Sequence, residues 1–259
     1  MSNETVLYSS EASSQYTAIQ YGGLSDQGKV RKKNEDSFGL FPQQGLFFVA
    51  DGVGGMPAGD IASMLITQVL PELLLQRIAE PELLTSKELI DRLKQAIIDL
   101  SNRIRLQSQN RPEYAGMGST LALALLTKNK FYIANLGDSR VYLHKNNQLH
   151  QLSIDHTLVH HLLTNELISE EEALHHPGKN QLVQYVGMQR SPIPDVICLP
   201  RTAGDQLLLC SDGLTDMLSE NEINHYLMKV IPAEKKCQAL VKAANLAGGK
   251  DNVTVVIVS

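Results

Sequence analysis

The sequence predicts an α+β fold in which antiparallel β-sheets form the middle layers and helices cover them on the outside. Three observations lead to this fold. Five short apolar runs are each bounded by turn residues, which is typical of buried strands. Short polar turns join neighbouring runs in the manner of hairpins, which favours antiparallel pairing. Two long segments repeat apolar residues every three or four positions, as helices packed on a sheet do.

The individual elements follow from these patterns in chain order. Strands are predicted at 46–50, 120–126, 131–135, 206–210 and 253–258, and hairpin turns at 128–129 and 146–147. Helices are predicted at 58–78, 86–107, 219–228 and 233–246, with a further short helix that begins after Ser169. Ser86 is the expected N-cap of the second helix. Pro71 and Pro81 are expected to bend or end the first helix.

Two segments depart from this alternation of strands and helices. Residues 1–15 are polar and have no periodicity, so we expect a flexible N-terminal arm. Residues 155–187, here called the flap segment, are polar and contain five of the eight histidines. We expect the flap segment to be a small surface subdomain of one domain that spans residues 16–259.

The composition excludes several classes of protein. The chain has 259 residues, and 23 Lys+Arg against 28 Asp+Glu give a formal net charge of −5, which argues against a nucleic-acid binder. Three scattered cysteines form no CxxC pair, so neither a disulfide framework nor a zinc site is expected. The polar first residues show no basic segment followed by an apolar one, so a signal peptide is not expected, and no apolar run reaches about 18 residues. We therefore expect a soluble, cytoplasmic protein without a membrane span.

Four aspartates sit at the ends of different predicted strands. Asp51, Asp138 and Asp212 follow apolar runs, and Asp251 directly precedes the last one. Any single Asp of this kind is well explained as a turn residue. Four together favour convergence at one sheet edge, where carboxylates repel one another unless a cation neutralises them. Oxygen ligands without Cys or paired His favour Mg²⁺ or Mn²⁺ over zinc.

Two further segments can serve a phosphate-bearing substrate. Arg31 lies in a string of mixed charge, residues 26–36, and an arginine near a metal cluster can bind two phosphate oxygens at once. A solvated charged loop is the alternative, and it explains Lys32 and Lys33 better than Arg31. The glycine-rich stretch 51–60 fits neither the GxGxxG nor the GxxxxGK[ST] pattern, so its glycines are expected to let backbone carbonyls approach a metal.

Six motifs in order make the chain resemble a known family. They are D-x-G-x-x-R-x-x-N-E-D (26–36), V-A-D-G-V-G-G (49–55), G-M-G-S-T (116–120), A-N-L-G-D-S-R (134–140), C-S-D-G-L-T-D (210–216) and G-G-K-D-N-V-T (248–254). Together they resemble the bacterial branch of the metal-dependent protein serine/threonine phosphatases, type 2C. The resemblance runs from about Tyr21 to Val258.

The resemblance implies a fold, a reaction and a metal centre. The implied fold is a four-layer α-β-β-α sandwich of two antiparallel sheets flanked by helix pairs, and the implied reaction is hydrolysis of phosphoserine and phosphothreonine by a metal-activated water. Two Mn²⁺ or Mg²⁺ ions, with a weaker third in some members, are the implied cofactors. The implied metal ligands are Asp51 (bridging), the Gly52 carbonyl, Asp212 and Asp251, with Asp138 and Asp212 at the third ion.

The resemblance also assigns residues to the substrate and to partners. Arg31 matches the phosphate-binding arginine, and Asp36, with Glu35, matches the acids beside the metal-bound water. The flap segment, which includes His176, Pro177 and Asn180, matches the mobile flap near the substrate channel. Phosphorylated proteins, a cognate Ser/Thr kinase and a monomeric state are implied, with neither nucleic acid nor membrane as partner.

Three positions depart from the family pattern. Met56 stands where bacterial relatives usually have a histidine, a candidate acid for the leaving serine oxygen. Loss of a general acid costs about 10²–10⁴-fold unless another group replaces it. A metal-bound water or a flap histidine is expected to take over; the candidates are His160, His161 and His176, whose alternative is a solvated surface position. Asp60 replaces a common glutamate, and 184–187 replaces R-A-L-G, which removes a basic contact.

Met56 also motivates a second hypothesis about function. A weakly active or inactive member of the same fold could bind phosphoproteins as a sensor or adaptor. Degenerate members usually lose their metal carboxylates, whereas this chain keeps them. The sequence therefore favours an active phosphatase over a sensor.

Overall fold

Eleven strands form two antiparallel sheets in the computed structural model, which describes residues 6–8, 19–53 and 58–259. The strands are β1 (Val6–Tyr8), β2 (Tyr21–Asp26), β3 (Asp36–Phe41), β4 (Leu46–Asp51), β5 (Leu121–Leu126), β6 (Lys130–Leu136), β7 (Arg140–Lys145), β8 (Gln148–Gln151), β9 (Asp195–Pro200), β10 (Gln206–Cys210) and β11 (Val253–Val258). The six-stranded sheet has the order β1-β2-β11-β10-β7-β8, and the five-stranded sheet has the order β3-β4-β5-β6-β9.

Seven α-helices accompany the sheets in the described residues. They are α1 (Gly59–Arg77), α2 (Ser86–Asn110), α3 (Leu158–Thr164), α4 (Glu170–Leu174), α5 (Asp212–Thr215), α6 (Glu220–Leu227) and α7 (Ala233–Leu246). None of these helices combines the length and the apolar character that a membrane span requires. The flap segment contains α3 and α4.

Three apolar cores hold the layers together, as the predicted sandwich requires. Between the sheets, side chains such as Phe47, Val141 and Val256 pack into one core. A second core joins the five-stranded sheet to α1 and α2, and a third joins the six-stranded sheet to α6 and α7. The expected α+β sandwich, with sheets inside and helices outside, is confirmed.

The predicted elements are confirmed, with shifts of a few residues at their ends. All five predicted strands and all five predicted helices are present. The two asparagines of the second predicted hairpin turn, Asn146 and Asn147, have positive φ angles of 52° and 62°, the backbone of a tight turn between twisted strands. The sequence did not predict β3 or β9. Of the predicted flexible arm, residues 1–15, only 6–8 are described, and they pair with β2 as a strand.

One local prediction about a helix end, the N-cap of α2, was wrong. The N-cap of α2 is Thr85, not Ser86, because the Thr85 hydroxyl accepts the backbone N–H of Glu88 and the Glu88 carboxylate accepts that of Thr85. The Ser86 hydroxyl instead accepts hydrogen bonds from Lys130 Nζ and the Tyr132 hydroxyl. Pro71 lies inside α1 and does not end it, since burial of the neighbouring leucines outweighs the lost backbone hydrogen bond.

Candidate functional site

A cleft of about 560 Å³ opens where both sheets end near the flap segment. It is lined by Arg31, Glu35, Asp51, Gly52, Val53, Thr120, Asp138, Asn180, Gln181, Leu182, Tyr185, Asp212, Asp251 and Asn252. The four aspartates predicted from strand ends are all among these residues. The cleft, here called the carboxylate cleft, therefore joins aspartates that are up to 200 positions apart in sequence, from Asp51 to Asp251.

Asp36 and Asp51 face each other across two strands of the five-stranded sheet. They are directly paired in the β3–β4 register, an arrangement in which like charges repel. Asp36 Oδ2 accepts hydrogen bonds from the hydroxyls of Ser211 and Thr254, both at 2.7 Å, which ties it to the other sheet. Burial raises the pKa of Asp36 to about 6. Burial, followed by repulsion from Asp36 and Asp212, raises the pKa of Asp51 well above its usual range.

Asp212 and Asp251 reach the cleft from the six-stranded sheet. Asp212 begins α5 directly after β10, and burial together with the charge of Asp138 raises its pKa. A Cβ on Gly213 would lie 1.9 Å from the backbone oxygen of Asn252, so only glycine lets α5 begin this close to the Asp251 loop. Asp251 Oδ1 accepts the backbone N–H of Asn252 at 2.8 Å.

Arg31 is the cationic group of the cleft lining. Its Nη2 donates to Asp251 Oδ2 at 2.6 Å, and this hydrogen bond raises the pKa of the guanidinium. The Arg31 side chain remains 44% exposed, so it is open to a ligand from the solvent side. Asn252 fixes the preceding loop: its Nδ2 donates to the carbonyls of Gln27 and Lys33, and its Oδ1 accepts the N–H of Glu35. A single amide therefore positions both ends of the Arg31 loop.

The Asp138 loop is held by the start of the flap segment. His156 Nδ1 accepts the N–H of Gly137 at 3.2 Å while Nε2 donates to Asp195 at 2.9 Å. Arg140 donates to both carboxylate oxygens of Asp155, at 2.6 to 3.1 Å. Burial and the nearby Asp155 charge raise the pKa of Asp138 to about 6. The carboxylate cleft and the flap segment are thus one connected unit.

Two hydroxyls link the loop that contains Asp138 to the backbone of Asp51. The hydroxyls of Ser139 and Thr120 lie 2.6 Å apart, and Thr120 Oγ1 also accepts the backbone N–H of Asp51 at 2.9 Å. The backbone N–H of Thr120 donates to the Asp51 carbonyl at 2.8 Å. The motif that contains Thr120 therefore sets the position of Asp51 relative to the Asp138 loop.

The flap residues that line the cleft are not the histidines that the sequence predicted. Asn180, Gln181, Leu182 and Tyr185 line it, whereas His160, His161 and His176 do not. The side chain of His176 faces its own turn, where Nδ1 accepts the N–H of Gly178 at 3.0 Å. A substrate contact from these three histidines stays a prediction that this geometry does not support.

Sequence reasoning missed Gln181 and Tyr185 as lining residues. Gly118 of the G-M-G-S-T motif is the sequence signal that relates to Tyr185. In the structure the Tyr185 ring packs so closely on Gly118 that a Cβ there would lie 2.7 Å from the ring. The neighbouring Ser119 and Val186 exchange backbone hydrogen bonds of 3.1 and 2.8 Å, which fix this end of the flap segment against the motif.

Two further acidic residues, Asp60 and Glu35, lie close to the ends of the glycine-rich stretch 51–60. Asp60 is in the first turn of α1, where Oδ1 accepts the N–H of Ile61 and Oδ2 lies 3.6 Å from Lys33 Nζ. Burial and the Asp60 charge raise the pKa of Glu35. Met56 falls in 54–57, outside the described residues, so its predicted role stays a prediction.

The chemistry of the carboxylate cleft fits hard divalent cations. The acidic side chains offer only oxygen ligands, and a bound cation would be stabilised because it relieves the repulsion between them. Asp36 Oδ1 and Asp212 Oδ1 are buried and have no hydrogen-bond partner in the structure, so both can accept a ligand. As the side chains stand, no group of three or more His, Cys, Asp or Glu residues in the described ranges is arranged around a metal position.

Comparison with known proteins finds relatives of one kind. The family model described as Protein phosphatase 2C matches residues 29–247. The chain is 40% identical over 237 residues to the serine/threonine phosphatase stp of Listeria welshimeri, with 90% of this chain and 93% of that protein covered. The crystal structure of serine/threonine phosphatase Stp1 from Staphylococcus aureus is 34% identical, with a TM-score of 0.85 and 94% and 96% coverage. The catalytic domain of PstP in complex with 2 manganese ions is 32% identical, with a TM-score of 0.77 and 93% and 97% coverage.

Proposed function

Because its residues 29–247 match the family model, the chain belongs to the protein phosphatase 2C family, and we propose that it hydrolyses phosphoserine and phosphothreonine at a binuclear Mn²⁺ or Mg²⁺ centre. The observation that carries this proposal is the convergence of Asp51, Asp138, Asp212 and Asp251 with Arg31 in one cleft. The cleft offers oxygen ligands for cations and a guanidinium for phosphate, which is the combination that phosphate ester hydrolysis requires.

The cations would be held by the residues at the strand ends. Asp51, the Gly52 carbonyl, Asp212 and Asp251 are assigned to two ions, and Asp138 with Asp212 to a third. When bound, these ions supply a water of lowered pKa and neutralise charge on the phosphoryl oxygens. Asp251 Oδ2 accepts a hydrogen bond from Arg31 at 2.6 Å, so a cation bound by Asp251 would compete with the guanidinium for this carboxylate.

Arg31 is assigned to the phosphate group of the substrate. Its guanidinium presents two parallel N–H donors, which match two phosphoryl oxygens. Release from Asp251 frees Nη2 for this contact, and the exposure of the side chain allows it to reach a phosphoserine at the cleft mouth. Arg31 thus stabilises the negative charge of the substrate and of the transition state.

Asp36 is assigned to orient and deprotonate the attacking water. Its Oδ2 is occupied by Ser211 and Thr254, which fixes the direction of the carboxylate. Asp36 is buried behind Asp51 and is not among the residues that line the cleft. We assign the proton to its Oδ1, because Oδ2 already accepts two hydroxyl hydrogen bonds. A carboxylate with a pKa of about 6 is better suited to this role than an ordinary aspartate, because it is a stronger base.

The partners and the compartment follow as part of the same proposal. Phosphorylated proteins are the substrates and a cognate Ser/Thr kinase is the opposing enzyme, and we propose that the chain acts as a monomer without nucleic acid. The free state of Cys198, Cys210 and Cys237 supports a reducing compartment, the cytoplasm.

Substitution of the ligands tests the proposal. We expect Asp51→Asn and Asp212→Asn to lower Mn²⁺-dependent hydrolysis of p-nitrophenyl phosphate and of a phosphothreonine peptide by about 10³-fold or more. Asp91→Asn, at an exposed position of α2, is the matched control and should keep full activity. Isothermal titration calorimetry with Mn²⁺ should show that the two cleft variants lose a binding step while Asp91→Asn does not. Unchanged activity and Mn²⁺ binding in both cleft variants would refute the proposal.

The sensor hypothesis is tested separately at Met56. If the missing histidine limits catalysis, Met56→His should raise kcat by about 10²-fold or more with little change in Mn²⁺ affinity. An equal kcat in both proteins, at a rate typical of phosphatases, would show that another group supplies the proton and would remove the motive for a sensor.

A further inference from the structure

A second cleft, of about 730 Å³, lies at the opposite end of the six-stranded sheet from the carboxylate cleft. The registers fix this placement: β2 begins at Tyr21 beside Val258, and Gln206 at the start of β10 pairs with His144 near the end of β7. The carboxylate cleft uses the other ends of the same four strands. We call this second site the distal cleft; its wall is completed by the start of α7 and by residues 228–232, which connect α6 to α7.

The distal cleft contains a buried cation without a counter-ion. Lys236 of α7 is 6% exposed, and its Nζ donates to the Leu227 carbonyl at 2.6 Å and to Gln206 Oε1 at 2.8 Å. Both acceptors are neutral, and no carboxylate of the described residues forms an ion pair with Lys236. An ammonium has three N–H donors, so one remains available. A buried charge of this kind is costly unless an anion compensates it.

His144 adds a second unsatisfied group to the same wall. It is 6% exposed, and neither ring nitrogen has a hydrogen-bond partner in the structure. Burial and the neighbouring Lys236 charge both lower its pKa, so the imidazole is neutral and offers one N–H donor and one acceptor. Buried polar groups are almost always paired, and an unpaired one calls for a ligand or an ion.

The opposite wall of the distal cleft is apolar and exposed. Val230 is fully exposed and Met228 and Ile231 are 49% and 40% exposed, although large apolar side chains are usually covered. The titratable side chains of the lining, besides His144, are those of Tyr21, Lys229, Lys236 and Glu234, and Glu234 carries the one carboxylate side chain among them. The Glu234 carboxylate accepts a hydrogen bond from Gln238 and does not reach Lys236. The cleft thus combines a cationic, hydrogen-bonding floor with an apolar rim.

We propose that the distal cleft binds a small organic anion with an apolar chain. Its carboxylate or phosphate group accepts hydrogen bonds from Lys236 Nζ and from the His144 ring, and its apolar chain covers Met228, Val230 and Ile231. The cleft volume lies in the range of about 300–1,000 Å³ that is usual for small-molecule sites. The distal cleft shares no lining residue with the carboxylate cleft, so the proposal does not rest on the proposed phosphatase function.

Calorimetric titration of the full chain tests the charge preference. Octanoate, octyl phosphate and 1-octanol share a chain length and differ in the head group. We expect the two anions to bind about 10- to 100-fold more tightly than the alcohol, the range of one hydrogen bond to a charged group. The tighter of the two anions identifies a carboxylate or a phosphate as the natural head group. Equal affinity for octanol and the anions, or no binding of either anion at about 10 mM, would overturn the proposal.

Two substitutions on one helix test the location of the site. Lys236→Met should lower the affinity for the tighter anion by about tenfold or more, while Lys235→Met should leave it unchanged. Lys235→Met is the matched control because it changes the net charge by the same amount as Lys236→Met. Lys235 is exposed on the same helix and lies outside the cleft lining. His144→Gln, which retains a polar side chain, is also expected to weaken binding of the anion. It replaces Lys236→Met as the test if circular dichroism shows that Lys236→Met does not fold. Equal losses in the Lys235 and Lys236 variants would refute the assigned site.

Discussion

The two ends of the six-stranded sheet bury charge of opposite sign. At the carboxylate cleft, burial and mutual repulsion raise the pKa of Asp51 and Asp212, so cations stabilise this end. At the distal cleft, burial lowers the pKa of His144 and of Lys236, and an anion is the complementary ligand. In both places the fold keeps ionisable groups away from water without pairing them fully. At each of these two clefts, the sign of the buried ionisable groups indicates the kind of ligand that would complete them.

The two ends differ in how firmly their groups are held. At the carboxylate cleft, Asn252 ties the Arg31 loop at three backbone points and Asp36 joins both sheets. The distal cleft is bordered by one sheet and by the short connection 228–232, whose Val230 is fully exposed. We therefore expect substitutions at the carboxylate cleft to have larger effects than equivalent ones at the distal cleft.

Among substitutions that leave the metal-binding carboxylates intact, loss of the Arg31 guanidinium should lower activity the most. Arg31→Ala removes the two N–H donors assigned to the phosphate, and we expect kcat/KM for a phosphothreonine peptide to fall by about 10²–10³-fold. Steady-state kinetics at saturating Mn²⁺ measures it. Arg103→Ala, an exposed arginine of α2, is the matched control.

Arg31 also makes an ion pair with Asp251, so the same variant can change metal binding. Removal of the guanidinium frees Asp251, and we expect Mn²⁺ affinity to be equal to or tighter than that of the wild type. A tenfold or greater loss of Mn²⁺ affinity in Arg31→Ala, without the loss in kcat/KM at saturating metal, would contradict the assignment of Arg31 to the phosphate.

Glycine-to-alanine substitutions at the two ends should differ in stability. In Gly213→Ala the new Cβ would lie 1.9 Å from the Asn252 carbonyl oxygen, which is a steric overlap. Asn252 cannot be displaced to relieve it unless the Arg31 loop moves as well. We expect a loss of about 3 kcal/mol in the free energy of unfolding, with weaker Mn²⁺ binding. Gly204 lines the distal cleft with φ +87° and open space around its Cβ, so Gly204→Ala should cost only the backbone strain, about 1–2 kcal/mol.

Urea unfolding of both glycine variants, monitored by circular dichroism, measures the difference in the free energy of unfolding. Calorimetric titration of the folded variants with Mn²⁺ measures their affinity for the ion. Equal losses of stability with unchanged Mn²⁺ affinity in Gly213→Ala would mean that the Asp251 loop tolerates displacement and that the carboxylate cleft is less rigid than its hydrogen bonds suggest.

The sequence predicted the carboxylate cleft better than its internal pairing. Asp51 and Asp212 were found because apolar strands end at them, and strand ends are visible in a sequence. The pairing of Asp36 with Asp51 and the contact of Arg31 with Asp251 depend on strand register and loop path, which local patterns do not determine. The role of Asn252 was missed for the same reason, since its partners lie more than 200 residues away.

The distal cleft was missed although one signal was present. On α7 the buried positions Ala233, Cys237, Leu240 and Ala244 define an apolar face, and Lys236 lies on that face. A lysine at such a position is ordinarily interpreted as a side chain whose charged end reaches the solvent. The buried state of Lys236 depends on the neutral acceptors of α6 and β10, which only the three-dimensional structure brings to it.

The pH dependence of stability provides the smallest and most selective test of the distal cleft. Because burial and Lys236 lower the pKa of His144, the folded chain binds this proton less readily than the unfolded chain does. The contribution of His144 to the free energy of unfolding should therefore decrease as the pH falls below the usual imidazole value of about 6.5, with a slope of at most about 1.4 kcal/mol per pH unit for one proton. In His144→Gln this contribution is lost. Urea unfolding from pH 7.5 to 5.5, compared with His150→Gln at an exposed position of β8, isolates it. The buried aspartates of the carboxylate cleft, whose pKa values are raised, contribute a trend of the opposite sign that both variants share. If the pH dependence of stability were the same in the His144 and His150 variants, folding would not lower the pKa of His144, and the burial of an unpaired imidazole on which the proposed anion site rests would be wrong.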